Sequence, residues 1–187
     1  MKEIPMGKRF PDLQPDQISF IAEQHLFFVA TAAASGPVNL SPKGMDSLRI
    51  LSPNRILWLN LTGSGNESAA HLALSPRMTL MWAGFATRPL ILRAYGTARA
   101  VHQSDPDYAR LAAELPDQPG ARQVMDMTID LVQASCGFAV PFMDHRADRD
   151  VLRDWAIDKG DAGLHGYWDD RNRISLDGLP TGIEANL

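Results

Sequence analysis

Apolar residues come in short runs, some with helical spacing and some continuous or alternating, and these runs set out most of the elements. Ile18, Ile21 and Ala22 recur at helical spacing in a segment that Asp12 or Asp16 can cap and that reaches about Gln24. His25 to Ala34, rich in Phe and Val, reads as a buried strand ended by Ser35-Gly36-Pro37. Val38 to Lys43 (VNLSPK) follows as the second arm of an antiparallel hairpin. Met45 to Leu51 is a short extended piece before the turn Ser52-Pro53-Asn54, and Arg55 to Leu61 (RILWLNL) is a strand. Glu67 to Leu74 (ESAAHLAL) is a short helix stopped by Ser75-Pro76.

Arg77 to Ala83 (RMTLMWA) and Pro89 to Val101 (PLILRAYGTARAV) are further strands, and Gly96 inside the second marks a bulge or bend. A helix opens at Asp105 or Asp107 and runs through Glu114; Gly120 to Asp126 reads as a further helical turn. Ile129 to Val140 is the last strong strand, halted by Pro141. Ala147 to Lys159 is an amphipathic helix with Val151, Leu152, Trp155 and Ala156 on one face. From Gly160 to Leu187 no period is sustained. Six strands joined mainly by short connections, with helices at the start, across one gap and near the end, describe an antiparallel barrel with accessory helices. Helices do not alternate with strands, which excludes a doubly wound parallel sheet.

Composition leaves that picture intact and narrows the function. With 187 residues, 45% apolar and 21% charged, the chain is expected to be one globular domain. A net charge of −4 argues against a surface-wide attraction to nucleic acid or anionic lipid. The N-terminal segment MKEIPMGKRFPDLQPDQ has no apolar signal-like core. No apolar run approaches the roughly 20 residues of a membrane helix. Cys136, the single cysteine, cannot close an intramolecular disulfide and reads as a small buried hydrophobe. The expected compartment is the cytoplasm. The histidines at 25, 71, 102, 145 and 165 form no metal-ligand pattern, so no metal site is expected. No serine or cysteine stands in a setting for covalent catalysis.

The stretch from Asn39 to Leu72 carries the chemistry. Strands end in Asn39-Leu40-Ser41-Pro42-Lys43-Gly44 and Trp58-Leu59-Asn60-Leu61, and the loop Thr62-Gly63-Ser64-Gly65-Asn66 opens into a helix. Unpaired N–H groups and the positive dipole end there suit a phosphate, with Lys43 as the nearest counter-charge. Ser64-Gly65-Asn66-Glu67 also fits S-x-x-E, a capping box that would consume those donors, and Glu67 would repel a phosphate. On local physics alone the cap is the stronger reading.

Four stretches, in this order and spacing, resemble the pyridoxamine 5′-phosphate oxidase-like FMN-binding split barrels: Val38 to Gly44 (VNLSPKG), Arg55 to Leu72, Pro89 to Val101 and Ser135 to Met143 (SCGFAVPFM). Tyr167 to Gly182 (YWDDRNRISLDGLPTG) looks like the tail of that family's oxidase-related branch. The resemblance implies a mainly β fold, a six-stranded antiparallel split barrel over residues 1–187. Residues 1–24 would be an N-terminal helical extension, and residues 160–187 a tail closing the cofactor cleft. It implies a homodimer with FMN in clefts between the subunits.

Carried over, Ser41, Pro42 and Lys43 line the flavin ring and ribityl chain, Trp58, Leu59, Asn60 and Leu61 stand behind the ring, and Ser64 and Asn66 grip the phosphate. Trp168 and Arg171 lie in the closing tail, and Arg93 joins the flavin site from the long strand. Arg93 and Arg99 share a strand face unless Gly96 bulges. True pyridoxamine phosphate oxidases place Ser-Arg-Lys where this chain has Ser64-Gly65-Asn66, which argues against a vitamin B6 substrate. The function implied is that of an FMN-dependent oxidoreductase on a small molecule, with no catalytic acid or base assigned. Its rivals are a split barrel for deazaflavin or haem and a non-catalytic flavin-binding protein.

Overall fold

The computed structural model describes residues 7–86 and 88–187. Its strands are β1 (Lys8–Phe10), β2 (Phe27–Thr31), β3 (Asn39–Lys43), β4 (Leu48–Ser52), β5 (Arg55–Leu61), β6 (Arg77–Ala83), β7 (Leu90–His102) and β8 (Ala121–Cys136). Its helices are α1 (Pro15–Ala22), α2 (Glu67–Leu74), α3 (Tyr108–Ala112) and α4 (Val151–Arg171), and a 3-10 turn spans Ile183–Asn186. The strands form one antiparallel sheet in the order β3-β2-β6-β7-β8-β5-β4, with β1 added on β8.

That sheet curls into a barrel. The rings of Phe27 on β2 and Trp58 on β5 meet edge-on with centroids 6.2 Å apart, although β6, β7 and β8 lie between those strands in the sheet. The interior is filled by Phe20, Trp58, Leu80, Trp82, Leu92, Met125 and Met127, and α1 closes one opening with Phe20 and Ile21. The opposite face of β5 and β8 is covered by Leu111 and Leu115, which pack on Leu57, Leu59 and Val124. β5 is therefore apolar along almost its whole length because both of its faces are covered.

Arg55–Leu61, Glu67–Leu74 and Arg77–Ala83 keep the bounds that their patterns predict. Elsewhere the structure corrects the reading. Among the described residues eight strands replace six, because β1, inside what reads as a helical extension, pairs with the last part of β8, and the extended piece before Ser52 becomes β4, paired with β5. The expectation for the N-terminal segment falls partly on residues 1–6, which lie outside the described residues. Gln14, with Gln17, forms the capping box of α1, not Asp12 or Asp16. Gln17, Phe20 and Ile21 face the core while Ala22 is exposed.

Gly120 to Asp126 is not a helical turn. It opens the 16-residue strand β8, held between β5 and β7. Met125, Met127 and Ile129 point inward and alternate with Asp126, Thr128 and Asp130, a period-2 pattern that marks a strand. Residues 144–150 are irregular and α4 begins only at Val151. α4 then runs through Gly160, where it breaks at φ 60°, and on to Arg171. Leu164 and Trp168, four apart and buried, anchor the second half, where Gly160, Gly163 and Gly166 dilute the helical signal.

The bulge expected at Gly96 lies across from it. Tyr95 pairs with Leu131 and Gly96 with Ile129, so Asp130 of β8 is the extra residue and β7 keeps its alternation. Gly96 is required for another reason: a Cβ there would sit 1.9 Å from the Thr128 carbonyl oxygen. Gly96→Ala is expected to destabilise the protein by about 2 kcal/mol, the scale of overpacking against fixed backbone. The urea midpoint should fall accordingly, and an unchanged midpoint would refute the close approach.

Candidate functional site

A cavity of about 330 Å³ opens where the end of β3, the end of β5 and the loop before α2 converge. Ser41, Pro42 and Lys43 form one wall, Leu59, Asn60 and Leu61 another, and Ser64 and Asn66 the loop between. Trp58 is fully buried behind this wall, with the Lys43 ammonium 5.3 Å from its ring centroid. The structure thus brings together eight of the residues singled out from the sequence and places Trp58 directly beneath them.

Arg122 is the residue that sequence reasoning missed. Asn60 pairs with Gln123 and Leu61 with Ala121, so Arg122 is the bulged residue of β8. A bulge re-aims a side chain, and here it turns an arginine at the start of β8 into the cavity. Its guanidinium is almost wholly buried, donating from Nη1 to Asn172 Oδ1 at 2.6 Å and from Nη2 to the Gly65 carbonyl at 2.8 Å. Burial pulls the Arg122 guanidinium down to about 10. Burial, with Arg122 nearby, likewise lowers Lys43 to about 8, partly offset by the Glu67 carboxylate. Among the described residues Glu67 is the only acid lining the cavity.

The start of α2 is open. Asn66 is its N-cap residue but makes no side-chain cap hydrogen bond, and the Asn66 carbonyl first accepts from Ala70 at 3.3 Å. Ser64 is exposed on the loop and caps nothing, so the Ser-x-x-Glu reading is corrected. The Glu67 carboxylate lies instead against Gly65, where a Cβ would fall 2.3 Å from Oε1. Ser64→Ala should therefore shift thermal stability by no more than about 0.5 kcal/mol. A loss near 1 kcal/mol would restore the cap.

Several buried side-chain donors in and beside this cavity have no acceptor. Asn60 Nδ2 spends both protons, on Asn66 Oδ1 at 3.0 Å and Gln123 Oε1 at 2.8 Å. That leaves Asn66 Nδ2, Gln123 Nε2 and Arg122 Nε buried without a partner, three of the five such side-chain atoms among the described residues. Buried polar groups are otherwise almost always paired, so the unpaired Asn66 Nδ2 and Arg122 Nε at the cavity, with the half-buried Lys43 ammonium opposite, fit an acceptor-rich anion.

The tail supports this site from below. Trp168 is buried and donates from Nε1 to Thr62 Oγ1 at 2.8 Å, and Asn172 Nδ2 donates to the Gly63 carbonyl at 3.1 Å. Thr62 donates in turn to the Gly120 carbonyl at 2.7 Å. Trp168 and Asn172 share one helix face, so Arg171 turns outward, 65% exposed and paired with Asp170 at 2.7 Å; it does not line the cavity. Arg93 does not line it either. Its neighbours Leu92 and Ala94 take the inward positions of β7, and strand parity puts Arg93 on the outer face, across from Met81 and Gln133.

No metal-binding group of three or more His, Cys, Asp or Glu exists among the described residues, and no helix there is long and apolar enough to cross a membrane. A family model described as pyridoxamine 5′-phosphate oxidase matches residues 13–136. A pyridoxamine 5′-phosphate oxidase family protein of Aspergillus flavus, ustO, is 34% identical over 177 residues, covering 84% of this chain and 70% of its own. A Lactobacillus delbrueckii structure named for pyridoxamine 5′-phosphate oxidase matches at a TM-score of 0.53 and 21% identity, over 68% of this chain and 98% of its own. A Clostridium acetobutylicum protein related to general stress protein 26 of B. subtilis matches at 0.51 and 10% identity, over 73% and 94% of the two chains. The structures establish the shared fold, and the family model and the Aspergillus relative establish descent: the chain belongs to the pyridoxamine 5′-phosphate oxidase family, and its curled sheet is a split barrel of that kind.

Proposed function

We propose that this cavity binds FMN, with the phosphate against the open start of α2 between Lys43 and Arg122, and that the chain is an FMN-dependent oxidoreductase acting on a small molecule. The observation that carries the reading is the surplus of buried donors and cations at one end of the cavity. A phosphate brings acceptor oxygens and about two negative charges to that end, which the residues present can satisfy. When bound, the flavin supplies the redox chemistry, and the protein contributes position and electrostatics. Arg122 and the free N–H groups of α2 hold the phosphate, Asn66 donates from its unpaired amide, and Lys43 places a second cation between the phosphate and the ribityl chain.

Haem is the weaker reading, because no histidine or cysteine lines the cavity to serve as an axial ligand. Vitamin B6 phosphate is not proposed as substrate, since Gly65 and Asn66 stand where the named enzyme carries two cations. A homodimer belongs to the same proposal: Val38 and Leu40, at the β3 edge beside the cavity wall, are 70% and 64% exposed and suit a second subunit. A reduced cytoplasm fits a chain with one cysteine.

The purified protein should be yellow, or become so with added FMN, with absorption near about 370 and 450 nm. Bleaching by NADH or NADPH followed by reoxidation in air would establish turnover. A stable spectrum under both treatments would favour a passive flavin carrier. A colourless protein that takes up no FMN would overturn the reading.

A further inference from the structure

His71 is buried on the inner face of α2 and does not line the cavity. Its ring is bonded at both nitrogens. Nε2 lies 3.0 Å from Asp177 Oδ2, in the turn between Ile174 and Pro180, and Nδ1 lies 3.2 Å from Thr31 Oγ1. Asp177 also accepts from Ser175 Oγ at 2.5 Å. Beyond Thr31, Asn39 Nδ2 reaches Thr31 Oγ1 at 3.3 Å and Ser68 Oγ at 3.1 Å, and Ser41 Oγ reaches Asn39 Oδ1 at 3.0 Å. Asn39, Ser41 and Ser68 line the candidate cofactor cavity.

With the Asn39 amide oriented so that Nδ2 faces Thr31 and Ser68, one assignment of protons satisfies every member. The Asp177 carboxylate can only accept, and the Ser175 hydroxyl and His71 hold it well below the usual carboxylate range. Nε2 therefore carries the imidazole proton and donates it to Asp177. In the neutral ring Nδ1 is then an acceptor and takes the Thr31 hydroxyl proton, which leaves the lone pairs of Thr31 Oγ1 to receive one proton of the Asn39 amide. The second amide proton goes to Ser68 Oγ, and Asn39 Oδ1 receives the proton of Ser41. With its proton committed, Ser41 has only lone pairs left for the cavity. Ser68, whose oxygen is already an acceptor, keeps its proton free.

We infer that Asp177, His71, Thr31 and Asn39 form a positioning relay that fixes the hydrogen-bonding polarity of the cavity, making Ser41 an acceptor and Ser68 a donor toward the ligand. The polarity matches the ligand proposed above, on which this part of the inference rests. Ser68 is in the first turn of α2, at the phosphate end, where only acceptors arrive. Ser41 is on β3, where the ribityl hydroxyls can donate. His71, Thr31 and Asp177 are positioning residues, since none of the three lines the cavity.

Thr31→Val cuts the relay in the middle with little change of shape, and Thr31→Ser restores the hydroxyl. FMN binding by the full chain should weaken about tenfold in Thr31→Val, the loss of about one cavity hydrogen bond. Thr31→Ser should return to within about twofold of wild type. Equal affinity of Thr31→Val and wild type, or an equal loss in both variants while both remain folded, would overturn the relay. A second arm needs no flavin. Nitrogen chemical shifts of His71 in the unliganded protein should show Nε2 protonated and Nδ1 bare, with Nδ1 shifting in Thr31→Val as it loses its donor. A proton on Nδ1 would refute the assignment. A wild-type protein that ignores FMN would sink the flavin reading, and the nitrogen shifts would then decide the relay by themselves.

Discussion

Replacing Arg122 with methionine is expected to leave the chain folded and to weaken FMN binding about a hundredfold, the worth of one to two charge-assisted hydrogen bonds to a phosphate. The protein without ligand should also lose stability, though less than it loses in binding. Methionine removes the donors to Asn172 Oδ1 and the Gly65 carbonyl, leaving two acceptors unpaired, and that costs about 1–3 kcal/mol. It also removes a cation that burial has already destabilised, which offsets part of that loss. A greater loss for ligand than for fold is what a residue kept for binding should show. Arg122→Lys keeps the charge but cannot reach both partners, so it should fall between the two. Titration by flavin fluorescence quenching, alongside thermal melting of the free protein, measures both quantities. Unchanged FMN affinity in folded Arg122→Met would remove Arg122 from the site.

The second large effect lies in pH. The Lys43 ammonium, lowered to about 8 in the free protein, loses its charge as pH rises through 8. Through that group alone, FMN affinity should fall about tenfold between pH 7 and pH 9, because the bound phosphate favours the protonated lysine. Stability of the free protein should move the other way. The unfolded chain holds the Lys43 proton up to its ordinary value of 10.5, while the folded chain releases it near 8. Between those values the unfolded state binds more protons, so the Lys43 contribution to stability rises with pH across the window. Lys43→Met should abolish both trends and bind FMN at neutral pH at least tenfold more weakly. A wild-type affinity that is flat from pH 7 to pH 9 would place the lysine away from the phosphate and ring.

Much of this site was legible in the sequence because its walls are cut from strong elements. RILWLNL is apolar enough to be a covered strand, and VNLSPK follows a turn of Ser, Gly and Pro, so Lys43, Asn60 and the loop before α2 were found together. What the sequence hid were the residues that break their own element's rules. Arg122 and Gln123 are polar positions within a strand covered on both faces, and they disguise its first turn of chain as something else. The alternation of Met125, Met127 and Ile129 with Asp126, Thr128 and Asp130 was the available signal that the strand began early.

The tail was obscured for a different reason. Three glycines interrupt α4 at 160, 163 and 166, and only tertiary packing of Leu164 and Trp168 holds its second half. Asn172, one turn beyond Trp168, then carries a role that local pattern could not assign. Arg171, which has the chemistry one would choose for an anion, faces solvent instead. Ser64 misled in the opposite sense. Its spacing to Glu67 imitates a cap, but the loop turns it outward and leaves the first N–H groups of α2 free.

The most direct test compares FMN with riboflavin, which lacks the phosphate and is otherwise the same molecule. If buried Arg122, half-buried Lys43, the unpaired donors and the open end of α2 hold that phosphate, FMN should bind at least a hundredfold more tightly than riboflavin at pH 7, and Arg122→Met should erase most of the difference. Equal affinities for the two flavins, or binding of neither, would contradict the account.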